Sequence, residues 1–426
     1  MIDYEPVRGM EDYFDEKADI IRYVEKVFRE TVEKSGYSEA ITPIVEDFEL
    51  FSIKGGEELR KTMYVFKDKA NRELALRPEI TPSIVRLYLK SLQHFPKPVR
   101  LFYIGRVYRY DEPQLGRYRE FRQAGVELLG SDSILADIEI IHILENFYNN
   151  LGLKDKISIK LNNIGVYRHI FNVISLNEND QEHVLHLMDK GNLDEAEAIL
   201  RPRLEGQPKL KELFFLLTNR SSPPKLEELI EFTDKNNIAQ IKDEFLKLQL
   251  LTQVINSLNI RYELNFSFVR GLAYYTGPIF EVIKSDLPFS IAGGGRYDTL
   301  IEIYGGQRTP AVGFAIGIER TIHALSKDYH LPKPNVKVVV VMLDNSVVDF
   351  GIKVSSLLRQ EGLVSVLGVK DLSLSKLVPY YAEQGFTHMV IIGKREKEEG
   401  KVTIRNLSTR DQKSLKIDEL TKNIII

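Results

Sequence analysis

The segment from Arg100 to Glu127, RLFYIGRVYRYDEPQLGRYREFRQAGVE, constrains this chain more than any other. An apolar strand runs into a polar loop and out through a second strand, so the pair folds back as an antiparallel hairpin. Arg109, Arg117, Arg119 and Arg122 crowd into that one hairpin. A guanidinium keeps its proton at neutral pH and presents a planar fork of donors to phosphate or carboxylate oxygens. Such crowding points to a phosphorylated ligand lying across the hairpin. On the second strand, alternation sets Phe121, Gln123 and Glu127 on one face and Arg122 and Ala124 on the other. One face thus offers an aromatic plate, an amide and a carboxylate.

The rest of the chain sets bounds. Its 426 residues, 43% hydrophobic, suffice for two or three domains with cores of their own. Charges nearly cancel to a net −3, which excludes a uniformly basic nucleic-acid binder and leaves local patches for any RNA contact. With no cysteine there is no disulfide, thiolate metal site or cysteine nucleophile. The start, MIDYEPVRGMEDYFDE, carries no apolar leader, and no run approaches the ~18 apolar residues of a membrane span. A cytoplasmic protein is expected.

Apolar spacing predicts a helix over 15–35 that ends at Gly36, then a strand over Ala40–Ile44. Short runs at Met63–Phe66 and Leu74–Leu76, a helix from Ser83 to Ser91 and a strand from Val99 to Tyr103 read as α+β with a mostly antiparallel sheet flanked by helices. Another helix starts after Ser133 and ends at Gly152. From about 165 to 257 the chain becomes rich in Leu, Glu, Lys and Asn at helical period, which predicts a mainly helical insertion into a first domain spanning 1–330. A helix is expected over Ile316–Ser326. Residues 331–335, LPKPN, form a proline-marked linker. Over 336–426 apolar strands alternate with helices, which predicts a separate small α/β domain with a largely parallel core sheet.

Three further segments could carry chemistry. In LRPEITP, 76–82, Glu79 and Thr81 could bind a ligand ammonium, or Thr81 could simply cap a helix with Pro82 in its first turn. In FVRGLAYYTG, 268–277, Arg270, Tyr274 and Tyr275 precede AGGGRYD, 292–298, which contains Tyr297. The three glycines let backbone approach a ligand closely, yet match neither a phosphate loop nor a dinucleotide fingerprint. In GFAIGIER, 313–320, a strand enters a helix whose Arg320 could reach a triphosphate or pair with Glu319 or Glu302. His183 and His186 stand three apart on a predicted helix, with no third ligand of matching spacing, so no metal site is expected.

In this order and together, these segments resemble the histidyl-tRNA synthetases, a family of class II aminoacyl-tRNA synthetases, over essentially the whole chain. RGLAYYTGPIFE with AGGGRYD is similar to the family's pair of histidine-specific motifs. The arginine hairpin is similar to motif 2, GFAIGIER to motif 3, and the N-terminal helix with Ile41, Thr42 and Pro43 to the dimer-forming motif 1. The resemblance implies the class II synthetase fold with a C-terminal anticodon-binding domain. It also implies histidine, ATP with Mg²⁺, and histidine tRNA as ligands, and a homodimer. Histidine binding would fall to Glu79, Thr81, Gln123, Glu127, Arg270, Tyr274, Tyr275 and Tyr297. ATP binding would fall to Arg109, Asp111, Arg117, Phe121 and Arg320, with Arg109 and Arg270 as the catalytic pair at the α-phosphate. The chain departs from the family at three positions: aspartate is usual at Ala273, glutamate at Asp111 and arginine at Glu112. A second reading is a non-aminoacylating relative, such as the regulatory subunit of ATP phosphoribosyltransferase in histidine biosynthesis, which normally lacks the C-terminal domain. A third, a non-catalytic RNA-binding module, has no need of the histidine-site tyrosines.

Overall fold

The computed structural model describes residues 4–219, 223–269, 274–325, 329 and 336–424, in two units, Met1–Tyr329 and His330–Ile426. Among the described residues of the first unit the strands are β1 (Ser38–Glu39), β2 (Val45–Asp47), β3 (Val65–Lys67), β4 (Glu73–Leu76), β5 (Val99–Tyr108), β6 (Glu120–Leu129), β7 (Ser158–Asn163), β8 (Tyr262–Leu264), β9 (Pro278–Ile283), β10 (Ala292–Arg296) and β11 (Ala311–Gly317). Eight of them form one sheet in the order β1-β5-β6-β11-β10-β9-β7-β8. The two edge pairs, β1 with β5 and β7 with β8, are parallel, and every pair between them is antiparallel. The α+β architecture with a mostly antiparallel sheet is therefore as expected.

One face of this sheet is closed by helices. In the helix Glu16–Lys34, Ile21, Val24, Phe28 and Val32 recur at helical period and are buried. The helix stops where Gly36 takes φ +83° and the Tyr37 N–H bonds back to the Val32 carbonyl. Phe28 meets the rings of Phe102, Phe147 and Phe314 edge-on at 5.4–6.5 Å, tying this helix to β5, to β11 and to the helix Ile134–Asn150. Between β7 and β8 the chain runs through helices from Ile164 to Ser257.

Two elements differ from expectation. Ala40–Ile44 is not a strand. Pro43 has no N–H for a ladder, and the Thr42 and Pro43 carbonyls accept instead from Arg77 Nη1, at 3.0 and 3.2 Å. Apart from the Ala40 N–H on the Phe102 carbonyl, regular pairing ends with β1 before this segment and resumes with β2 after it. The helix expected from Ile316 starts later, at Ile318, because Ile316 and Gly317 remain in β11 opposite Ala124 and Gln123.

In the second unit the strands are β12 (Lys337–Met342), β13 (Val364–Leu367), β14 (His388–Ile392), β15 (Lys401–Asn406) and β16 (Gln412–Lys416), ordered β13-β12-β14-β15-β16. β12 is parallel to both neighbours, and the last two strands return antiparallel. The run Val338–Val341 is apolar without alternation because both faces are covered. Val338 and Val340 pack with Val354 and Leu358, Val339 and Val341 with Leu377 and Tyr381.

Candidate active site

The open face of the large sheet, over β6, β11 and β10, holds a pocket. Its floor is set by register. Gly313 lies opposite Glu127, Ala315 opposite Gly125 and Gly293, and Gly317 opposite Gln123. Small residues here leave room for the Glu127 carboxylate; a Cβ on Gly313 would overlap Glu127 Oε2 and the Val126 carbonyl. The same strand puts Phe314 and Ile316 on the other face, in the core.

At one end of the pocket Glu127, 1% exposed, is ringed by hydroxyls. Thr81 Oγ1 donates to Oε1 at 2.7 Å, Tyr103 Oη to the same oxygen at 3.2 Å, and Tyr297 Oη to Oε2. Burial pushes the Glu127 carboxyl up to about 7 even though the three hydroxyls favour its charged form, and the Glu79 charge adds to the rise. Glu79 accepts from Tyr274 Oη at 3.2 Å, and Tyr274 and Tyr275 pack at 5.1 Å between centroids. Burial first, and neighbouring carboxylates second, push the Tyr274 and Tyr297 hydroxyls well above their usual range, so both stay protonated donors. Gln123 Oε1 accepts the Ile80 N–H at 2.9 Å. Thr81 is therefore no helix cap: the helix Thr81–Leu87 begins without a side-chain cap, and the hydroxyl serves Glu127.

At the other end lie the cations. Arg109 is aimed by an Nε bond to the Pro78 carbonyl at 2.9 Å and lies over the Phe121 ring at 5.3 Å. Arg320 donates through Nε to the Gly116 carbonyl at 2.7 Å and through Nη1 to the Ser290 carbonyl at 3.1 Å. Arg117, half exposed, approaches Asp111 Oδ2 at 3.4 Å. Two arginines of the hairpin are committed to the protein instead. Arg119, 8% exposed, bonds the Asp111 carbonyl at 3.0 Å and covers the Tyr110 ring. Arg122 reaches the opposite face, where its N–H and Nη1 bind the buried Glu319 carboxylate at 2.9 and 3.0 Å. Glu112, at the loop's tip, is paired with Arg8 at 2.8 Å.

The structure thus gathers Glu79, Thr81, Arg109, Asp111, Arg117, Phe121, Gln123, Glu127, Tyr274, Tyr275, Tyr297 and Arg320 around one pocket. Arg270 and Ala273 lie outside the described residues. Sequence reasoning missed Tyr103. The signal was its place opposite Gly125, on the face that carries Glu127.

Residues 9–321 match the family model described as histidyl-tRNA synthetase. The chain belongs to the histidyl-tRNA synthetase family. Residues 337–425 match a second model, that of an anticodon binding domain. The chain is 62% identical over 426 residues to a histidine–tRNA ligase of Metallosphaera sedula, covering 100% of this chain and 99% of that one. It is 52% identical to a ligase of the same name from Sulfolobus acidocaldarius, again over 100% and 99%. Among solved structures, the apo histidyl-tRNA synthetase of S. aureus superposes with a TM-score of 0.73 at 25% identity, covering 100% of both chains. In this histidyl-tRNA synthetase family member the arginine hairpin is formed by β5 and β6, and GFAIG lies within β11.

Proposed function

We propose that this protein is a histidine–tRNA ligase that joins histidine to ATP as histidyl-adenylate, releasing pyrophosphate, and then transfers histidine to the 3′ end of histidine tRNA. The observation that carries this reading is a single pocket with two unlike ends: Glu127 ringed by hydroxyls beside Glu79 and Tyr274, and Arg109, Arg117 and Arg320 facing it.

In this reading Glu127 accepts an imidazole N–H while Glu79 and Thr81 receive the substrate ammonium, with Gln123, Tyr274, Tyr275 and Tyr297 closing the site. The substrate carboxylate then attacks the α-phosphorus of ATP, and the bond to pyrophosphate breaks. No side-chain nucleophile is needed. Arg109 and Arg270 neutralise charge on the five-coordinate phosphorus, Arg117 and Arg320 hold the outer phosphates, and Phe121 with Arg320 brackets the adenine. Asp111 accepts from the adenine amino group. Magnesium enters as the counterion of substrate ATP, held mainly by phosphate oxygens and water. The second unit reads the tRNA, and the protein works as a cytoplasmic homodimer. An exposed apolar Ile41 and Phe95, at 86% and 56%, support that pairing. Among the described residues no helix is long and apolar enough to cross a membrane.

ATP–pyrophosphate exchange across the amino acids tests the reading: exchange should require histidine. Histidine binding without exchange would instead favour the regulatory relative, a reading disfavoured by full-length similarity to ligases and by the C-terminal domain.

A further inference from the structure

The loop of the arginine hairpin, whose Tyr118 lines the pocket, is tied to the helix Ile318–Ala324 through His323, which does not line it. Tyr118 Oη and His323 Nε2 are 2.9 Å apart, and their rings are parallel within 5°. The Phe289 ring meets His323 edge-on at 6.1 Å, so three rings form one cluster. Burial, and then the Glu11 and Glu319 carboxylates, push the Tyr118 hydroxyl up. The hydroxyl stays protonated, and the two atoms share one hydrogen bond whose direction is set by the His323 tautomer. Two residues before Tyr118, the Gly116 carbonyl accepts from Arg320 Nε at 2.7 Å. Gly116 has φ +70° and lies so close to Phe289 that a Cβ would enter its ring. Arg117 sits between the two ties, itself exposed.

We propose that His323 is a positioning residue for the nucleotide: through Tyr118 it holds the Gly116–Tyr118 loop against the helix of Arg320, presetting Arg117 for the outer phosphates. This rests on reading the pocket as an ATP site. Gln114, Leu115 and Arg117 are exposed, so beyond the Gln114–Arg117 backbone pair and buried Gly116 it is the two ties to this helix that fix where the loop lies. A loop that must be ordered when ligand arrives weakens binding by the free energy of ordering; a loop ordered beforehand does not. His323 touches no reacting atom. Its loss should therefore appear in ATP affinity and not in the chemical step.

The test is ATP–pyrophosphate exchange with the full chain. His323→Phe keeps a ring between Tyr118 and Phe289 but removes one partner of the bond; Tyr118→Phe removes the other; His323→Gln returns a polar partner without the ring. Losing one net hydrogen bond should raise KM for ATP roughly five- to tenfold in each phenylalanine variant. The double variant should be no worse than either single one, because both remove the same bond. KM for histidine should barely move, and His323→Gln should recover most of the loss. An unchanged KM for ATP in both single variants, equal losses for histidine and ATP, or additive losses in the double variant each overturn the proposal. Should His323→Phe melt early, Tyr118→Phe still reads the same bond. Absence of histidine-dependent exchange in the wild type overturns the ligase reading and this proposal with it; exchange with unaltered ATP dependence overturns this proposal alone.

Discussion

Replacing Glu127 by glutamine isolates what it costs to keep a carboxylate on the floor of this pocket. The side chain is buried, and burial lifts its pKa from 4.5 to about 7, against the opposing hydroxyls of Tyr297, Thr81 and Tyr103. A carboxyl whose pKa is raised by folding binds its proton more tightly in the folded state. Its stabilising contribution is full below the unfolded value of 4.5 and is lost as the pH rises through about 7. At about 1.36 kcal/mol per unit the whole shift is worth about 3 kcal/mol, of which roughly a quarter is gone by pH 5 and nearly all by pH 8. Glutamine keeps the shape, does not titrate, and the surrounding hydroxyls can turn to accept from its amide. In urea unfolding of the full chain, read on the transition that the substitution moves, the variant should gain on the wild type by about 2–3 kcal/mol between pH 5 and pH 8, whatever the constant offset. A stability difference that stays flat over that range would refute the reasoning. Activity should move the other way: a neutral amide cannot match a carboxylate as acceptor for the imidazole, so exchange in Glu127→Gln should fall at every pH.

Four other outcomes are expected. Gly313→Ala, whose methyl would overlap Glu127 Oε2, should raise KM for histidine at least about tenfold and destabilise by about 1–3 kcal/mol; wild-type values in both assays would contradict the clearance argument. Arg119→Met should lower the melting temperature, because its bond to the Asp111 carbonyl and its cover over Tyr110 are lost, whereas Arg117→Met should leave melting unchanged and weaken ATP. Phe28→Ala, which empties a site touching three other rings, should cost about 3–5 kcal/mol in chemical denaturation, and under about 1 kcal/mol would show that the site collapses. Truncation after Lys333 should leave adenylation intact and lower tRNA charging; equal charging would remove the second unit from that role.

How much of this was legible in the sequence depended on whether the partner of each residue was local. The faces of β6 follow from alternation within one strand, so Phe121, Gln123 and Glu127 were found together. The use of the arginines did not follow. Arg109 and Arg119 are both arginines of the same hairpin, but one is aimed by the Pro78 carbonyl and the other consumed by the Asp111 carbonyl, and only the folded loop separates them. Thr81 read locally more as a helix cap than as a site residue, because the acceptor that claims it, Glu127, is 46 residues away. Ala40–Ile44 looked like a strand from its side chains, yet Arg77, buried beneath it, takes the carbonyls a ladder would need. Tyr103 escaped notice for a related reason: register between two strands is fixed by the loop between them, and composition alone does not give it.

The glycines of GFAIG and AGGG have a meaning that composition hides. Read as flexibility, they would weaken a sheet at its centre. In the fold those of GFAIG obey period two: Gly313, Ala315 and Gly317 face the pocket, while Phe314 and Ile316, each nearly unexposed, face the helices. Along one row of the sheet Tyr103, Gly125, Ala315 and Gly293 follow one another, so a single large side chain that can reach Glu127 stands beside three positions left small. The strand does not need side chains on its open face, since β6 and β10 supply ladders on both sides. It does need them on its closed face, where Phe28 meets Phe314. Enlarging a residue on the open face should therefore damage substrate binding before stability, and shrinking one on the closed face should do the reverse. One strand, five residues long in this stretch, carries the floor of the site and the roof of the core at once.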